Sequence, residues 1–423
     1  MPTPHDPATL SPSVPPMRVE RALRVLPDVD VLTSLRALVI TSSRGASGDS
    51  ANLTFGKRTI RPNRLHELLP IALSDLTTHL QSLFAAAVSA LETEAAGDTG
   101  GAATRLLDAG DLEARFGRES AAQAWYEHGL AIASDAFDRQ PEVRALLALA
   151  EVDMDRGALE SAARRAQRAF TLAEAGRYDS ETTRACLALG RIAAASGARH
   201  GAVAWLNRGL ALANGTKALS ALFQLELADL HGAEGTFDFA LRRLHIAAGE
   251  FGSVHDADGL ALVSAAEGRI HARRGDIDAA LQHYHVALEL VQRGTRHPRV
   301  ECTIRRALAE ALLSAGRLVE AEDEARLAED FAVCRAQGRA LIRIYLVLGA
   351  IRAAQWDETG FVFYEKAIEL SRGPIPTPGL EALAYTAYAW FRRTLGDAED
   401  ARLYDNRAAE IRAQLDVHWL PGH

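Results

Sequence analysis

A glycine recurs along this chain at almost constant intervals, with an alanine five residues after it. The glycines are Gly117, Gly157, Gly197, Gly235, Gly275, Gly316 and Gly396. They lie 40, 40, 38, 40, 41 and then 80 residues apart, and the last gap leaves room for one more unit. Ala122, Ala162, Ala202, Ala240, Ala280, Ala321 and Ala401 keep step with them. Another alanine or glycine sits seven residues beyond each of those alanines, from Gly129 to Ala408. A third small residue sits seven before each glycine, from Gly110 to Ala389. A period of this size belongs to arrays of helical hairpins, in which each unit covers the open apolar face of the one before.

The stretch 143–173 shows why the pattern folds that way. Leu146, Leu149 and Ala150 share one helical face. Gly157 ends that helix, because a residue without Cβ accepts the left-handed conformation of a helix C-terminus. Ala162, Ala166 and Ala169 line a second helix, where small side chains let two backbones approach closely. The spacing predicts eight antiparallel helix pairs over 103–415. The expected fold is all-α, a right-handed superhelical solenoid with a helical amino-terminal segment. The register breaks once. In the seventh unit Gly349 and Ala367 hold their places, but Gln355-Trp356-Asp357 replaces the glycine turn and one residue is missing.

Three units carry a fuller motif. Leu189-Gly190, Gly197, Ala202, Leu206 and Gly209 form one, and Gly268, Gly275, Ala280, Tyr284 and Ala287 a second. Leu308-Ala309, Gly316, Ala321 and Ala328 form the third. The pattern resembles the tetratricopeptide repeat (TPR), in a variant whose period is near 40 residues and not the usual 34 or so. The resemblance covers about three quarters of the chain. It implies a concave groove lined by the first helix of each hairpin, with the residue six before each turn glycine facing inward. Those residues are Asp111, Glu151, Arg191, Asp229, Arg269 and Glu310. The implied partner is a protein or peptide, and the candidate binding residues are Arg144, Arg184, Arg191, Arg269, Arg273 and Arg343. A guanidinium fork grips carboxylates bidentately, so an acidic partner suits them. The alternative is that neighbouring acids hold these arginines and the groove merely keeps its shape.

Composition narrows the remaining choices. Net charge is -8 with no block of like charge, which argues against nucleic acid. Of 47 basic residues 44 are arginine, the usage of a GC-rich bacterial genome. Cys186, Cys302 and Cys334 lie far apart in helical patterns and are expected to be buried free thiols of a reducing cytoplasm. No run approaches the ~18 apolar residues of a membrane helix. Residues 1–16 hold six of the fifteen prolines and are expected to be a disordered tail. Residues 17–96 fall outside the register. They read as helices around a polar loop with a short strand over 52–55, and would cap the first repeat or make a homo-oligomer. Residues 416–423 form a tail.

No catalytic motif emerges. Gly56-Lys57 lacks the rest of a phosphate loop, since Ala51 and Arg58 stand where glycine and Ser/Thr are needed. His283 and His285, two apart on a helix, diverge by roughly 200° and cannot chelate one ion. HExxH, CxxC and GxSxG are absent. The sequence therefore assigns no catalytic residue, metal or cofactor. The expected function is a non-catalytic cytoplasmic scaffold or adaptor that binds a protein or peptide in its groove. The rival is a bacterial regulator whose array is the sensor.

Overall fold

The computed structural model describes residues 82–416 with short gaps, and before them two strands, β1 (Leu53–Phe55) and β2 (Arg58–Ile60). The strands pair antiparallel, with Leu53 opposite Ile60, so the strand expected over 52–55 is one arm of a small hairpin. The proline-rich tail, most of the 17–96 segment, Cys334 and the carboxy-terminal tail lie outside the described residues.

Among the described residues sixteen helices follow, in eight hairpins numbered here as repeats 1 to 8. Repeat 1 is α1 (Thr99–Arg115) with α2 (Glu119–Asp135), and repeat 2 is α3 (Arg139–Asp155) with α4 (Leu159–Gly176). Repeat 3 is α5 (Asp179–Ala195) with α6 (Arg199–Leu212), and repeat 4 is α7 (Lys217–Ala233) with α8 (Phe237–Ser253). Repeat 5 is α9 (Ala257–Arg274) with α10 (Ile277–Arg293), and repeat 6 is α11 (Pro298–Ser314) with α12 (Leu318–Val333). Repeat 7 is α13 (Gly338–Ala354) with α14 (Gly360–Ser371), and repeat 8 is α15 (Pro378–Thr394) with α16 (Ala398–Asp416).

The turns inside repeats 2 to 8 share one device. Gly157 has φ +81, its N–H bonds to Met154 O, and Ala158 N–H reaches back to Asp153 O. This pair of bonds satisfies carbonyls that the helix end would leave orphaned. It recurs at Gly197, Gly235, Gly275, Gly316 and Gly396. In repeat 7 Trp356 takes the left-handed position itself, at φ +58. Its N–H bonds to Ala353 O, and Asp357 N–H to Arg352 O. The turn survives the loss of glycine at the cost of a strained backbone.

Packing explains the small residues. The alanines five after each turn, from Ala122 to Ala401, are all fully buried. In several repeats the small residue seven before the turn faces a ring eight or nine residues after it. A Cβ on Gly110, Gly268 or Gly349 would lie 2.4, 2.8 or 2.5 Å from the ring of Tyr126, Tyr284 or Tyr364. In repeats 2 and 6 both positions are alanine, Ala150 with Ala166 and Ala309 with Ala325. Consecutive helices pack along the whole array. Each first helix also packs on the first helix of the next repeat, whereas second helices make no comparably extensive contact with one another. The first-helix layer is thus the tighter, inner side of the curve. The core is a chain of local clusters, each spanning neighbouring repeats. Cys186 and Cys302 are free thiols buried within it.

Candidate functional site

The inner face of repeats 1 to 6 carries a ladder of charges from successive first helices. Arg144 Nη2 donates to Asp108 Oδ1 at 2.7 Å and to Asp111 Oδ2 at 2.5 Å. Arg191 Nε donates to Glu226 Oε1 at 2.6 Å, and its Nη1 stands 3.8 Å from Glu151 Oε1. Arg269 Nη2 meets Asp229 Oδ2 at 2.7 Å. Each of these pairs joins one repeat to its neighbour. Arg191 and Arg269 keep only 26% and 31% of their side chains exposed. Burial opposes the charge on all three arginines, but the adjoining carboxylates outweigh it and hold each pKa above its ordinary value. Two tyrosines join the ladder. Tyr126 OH donates to Asp111 Oδ1 at 2.8 Å. Burial pushes the Tyr284 hydroxyl up to about 12 although Arg269 is near.

The six arginines singled out in the sequence therefore divide. Arg144, Arg191 and Arg269 are engaged in the ladder. Arg184 on α5, Arg273 on α9 and Arg343 on α13 are exposed, and no carboxylate bonds to them among the described residues. Arg343 is the most isolated electrostatically. Its partial burial and the guanidinium groups of Arg306 and Arg339 lower its pKa to about 10, and Glu310 only partly offsets them. Of those neighbours, Arg306 is itself paired with Glu310.

The ladder stops at repeat 7. Counted from the turns at Trp356 and Gly396, the positions six before are Ala350 and Trp390, where the earlier repeats carry charge. Trp390 is 50% exposed, and Leu383, two turns earlier on the same face of α15, is 47% exposed. Leu383 was in view from the register. Trp390 occupies the same register position relative to Gly396 as Glu310 does relative to Gly316, but as a lone aromatic it carries no charge signal in the sequence.

The array curls far enough for its ends to meet. Arg339 Nη1, at the start of α13, donates to Met154 O at the end of α3 across 2.5 Å. Thr377, just before α15, lies against Gly157, with its Cγ2 3.1 Å from where a Cβ would stand. The turn of repeat 2 thus walls the edge of the groove at which the first helices of repeats 7 and 8 begin.

Among the described residues no group of three or more His, Cys, Asp and Glu could hold a metal ion, and no helix is long and apolar enough to cross a membrane. His283 stacks on His271 at 5.1 Å, with its Nδ1 3.1 Å from Glu267 Oε2, which makes a paired surface cluster.

No family model matches the chain, and no curated protein does. Solved structures do match. A Rap protein complexed with Competence and Sporulation Factor superposes with a TM-score of 0.57 at 10% identity, over 84% of this chain and 97% of its own. The Rap conjugation gene regulator of the plasmid pLS20, in complex with the Phr* peptide, gives 0.54 at 10% identity, over 84% and 94%. NprR in complex with its cognate peptide NprX gives 0.51 at 14%, over 83% and 92%. The fold is that of a TPR-type helical solenoid. At these identities the likeness is one of architecture.

Proposed function

We propose that this chain is a non-catalytic binding protein, a long-period TPR variant that holds an extended, acidic peptide segment along its inner face. The observation that carries the reading is the division of the arginines. Of the six candidate arginines, Arg144, Arg191 and Arg269 are tied to carboxylates, whereas Arg184, Arg273 and Arg343 are exposed without a bonded one. They stand in alternate repeats, 3, 5 and 7. An occupant that meets all three carries several carboxylates along its length. Fold neighbours solved with bound peptides favour the same class of ligand, and the description of one as a conjugation gene regulator and of NprR as a quorum sensor favours a sensor over a passive scaffold. The buried thiols suit a reducing cytoplasm. Helical residues lie between 82 and 94, with Ala87 and Ala90 fully buried. In this reading they belong to the segment that covers the open end of repeat 1.

The test is selection of peptides from a random displayed library on the full chain, followed by titration against variants. Arg184→Ala with Arg273→Ala should weaken the selected peptides by about tenfold or more, whereas loss of Arg191 acts mainly on stability. Binding at wild-type strength in the double variant would move the site off the inner face.

A further inference from the structure

Resting on the groove reading, we infer that the inner face of repeats 7 and 8 is a specificity subsite. It takes one aromatic or long aliphatic side chain of the bound peptide on Leu383 and Trp390, and an Asp or Glu side chain two residues away on Arg343.

A single exposed leucine means nothing on a protein surface. Here two large apolar side chains stand on one face of α15, in rows where repeats 1 to 6 carry charge or small polar groups at most other positions. On α13 the corresponding position is Ala350, so no charge stands between Trp390 and the end of the ladder at Glu310 in that row. Tryptophan and arginine are the residues that most often dominate binding energy when an occupant dries them. Arg343 supplies the other half. It has no bonded carboxylate and sits among the cations Arg306 and Arg339, so an incoming carboxylate relieves repulsion as well as making a bond.

The spacing sets the peptide pattern. Packed helices lie roughly 8–10 Å apart. Residues i and i+2 of an extended chain are roughly 7 Å apart and present their side chains on the same side. The flexible reach of Arg343 closes the difference. An i, i+1 pair would face opposite sides. An acidic side chain is favoured over a chain terminus because the unpaired arginines recur in repeats 3 and 5, and one terminus cannot serve three of them.

The experiment uses peptides selected on the full chain from a random library flanked by glycine, then synthesised with acetylated and amidated ends. Enriched sequences should place Asp or Glu two residues from an aromatic or long aliphatic residue. Trp390→Ala and Arg343→Ala should each weaken binding by about thirtyfold, and Asp→Asn in the peptide should lose its effect in the Arg343→Ala background. Neither variant should melt below the wild type, since both side chains are exposed. Selected peptides that bind equally to both variants, yet are lost with Arg184→Ala and Arg273→Ala, would sink the subsite and leave the groove standing. If no peptide is enriched, both readings fail. Binding that requires a free carboxyl end would replace the acidic side chain by a terminus and overturn the inference. So would a change in sedimentation mass on Trp390→Ala, because the apolar pair would then be a contact between copies of this chain.

Discussion

In repeats 2 and 6 the layer between the two helices of a hairpin is closed by alanines, Ala150 on Ala166 and Ala309 on Ala325, and the inner face above carries charge. Repeats 7 and 8 are joined by aromatic packing, chiefly between the second helix of one hairpin and the first helix of the next. Phe361 lies 4.5 Å from Phe391 and 4.9 Å from Tyr388, Tyr388 lies 4.4 Å from Tyr404, and Arg392 covers Phe361 at 4.2 Å. There the inner face is apolar. One register thus supports two kinds of surface. The early repeats pair most of their inner charges across repeat boundaries, which stiffens the groove and leaves Arg184 and Arg273 as its open cations. The last two are held together by rings and keep Trp390, Leu383 and Arg343 open.

That contrast can be attacked by substitution. The largest effect is expected from Phe391→Ala, about 3–5 kcal/mol through loss of buried area and a cavity in the aromatic cluster. In a one-dimensional array it should melt repeats 7 and 8 before the rest, visible as an early phase in calorimetry. A single transition shifted as a whole would mean that the two regions are not separable. Ala280→Leu, in the tightly closed early region, should cost about 1–3 kcal/mol by overpacking. An unchanged melting point would remove the close-approach argument for that row.

Arg191→Ala should cost about 1–2 kcal/mol, more than an exposed pair, because Glu226 is left largely buried without its partner. Denaturant titration would show it, and a value near zero would reduce the ladder to decoration. Trp356→Gly should stabilise by about 0.5–1 kcal/mol, the left-handed strain relieved less the added freedom of the unfolded chain. The smallest effect belongs to Arg343. Its folded pKa lies below its unfolded value, so its charge costs stability at every pH below about 10, and that cost fades as pH rises further. Arg343→Gln should therefore gain about 0.5 kcal/mol at neutral pH, discounted for exposure, while weakening peptide binding. A loss of stability would show that the side chain has a structural partner.

Much of this was legible in the residues. Period, hairpin number, turn glycines and buried alanines follow from local rules that each repeat obeys alone, and the turns confirm them down to the repeated pair of backbone bonds. Three things were hidden. Trp356 breaks the sequence rule while keeping the geometry, because backbone bonding of the turn outweighs about 1–2 kcal/mol of left-handed strain. The partners of Arg144, Arg191 and Arg269 come from the adjoining repeat, 33 to 40 residues away, and a register shows which positions face inward without showing which tips meet. The contact of Arg339 with Met154 depends on the small rotation of every repeat between them, which no local motif encodes.

That last contact bears on how such a chain can evolve. An open solenoid can gain or lose a unit by duplication or deletion with little penalty, because its ends touch nothing. Here repeat 2 meets repeats 7 and 8, so one hairpin more or fewer between them would carry Arg339 and Thr377 past the turn that receives them. The number of units is locked by arithmetic, as the tooth count of a gear is locked by its circumference.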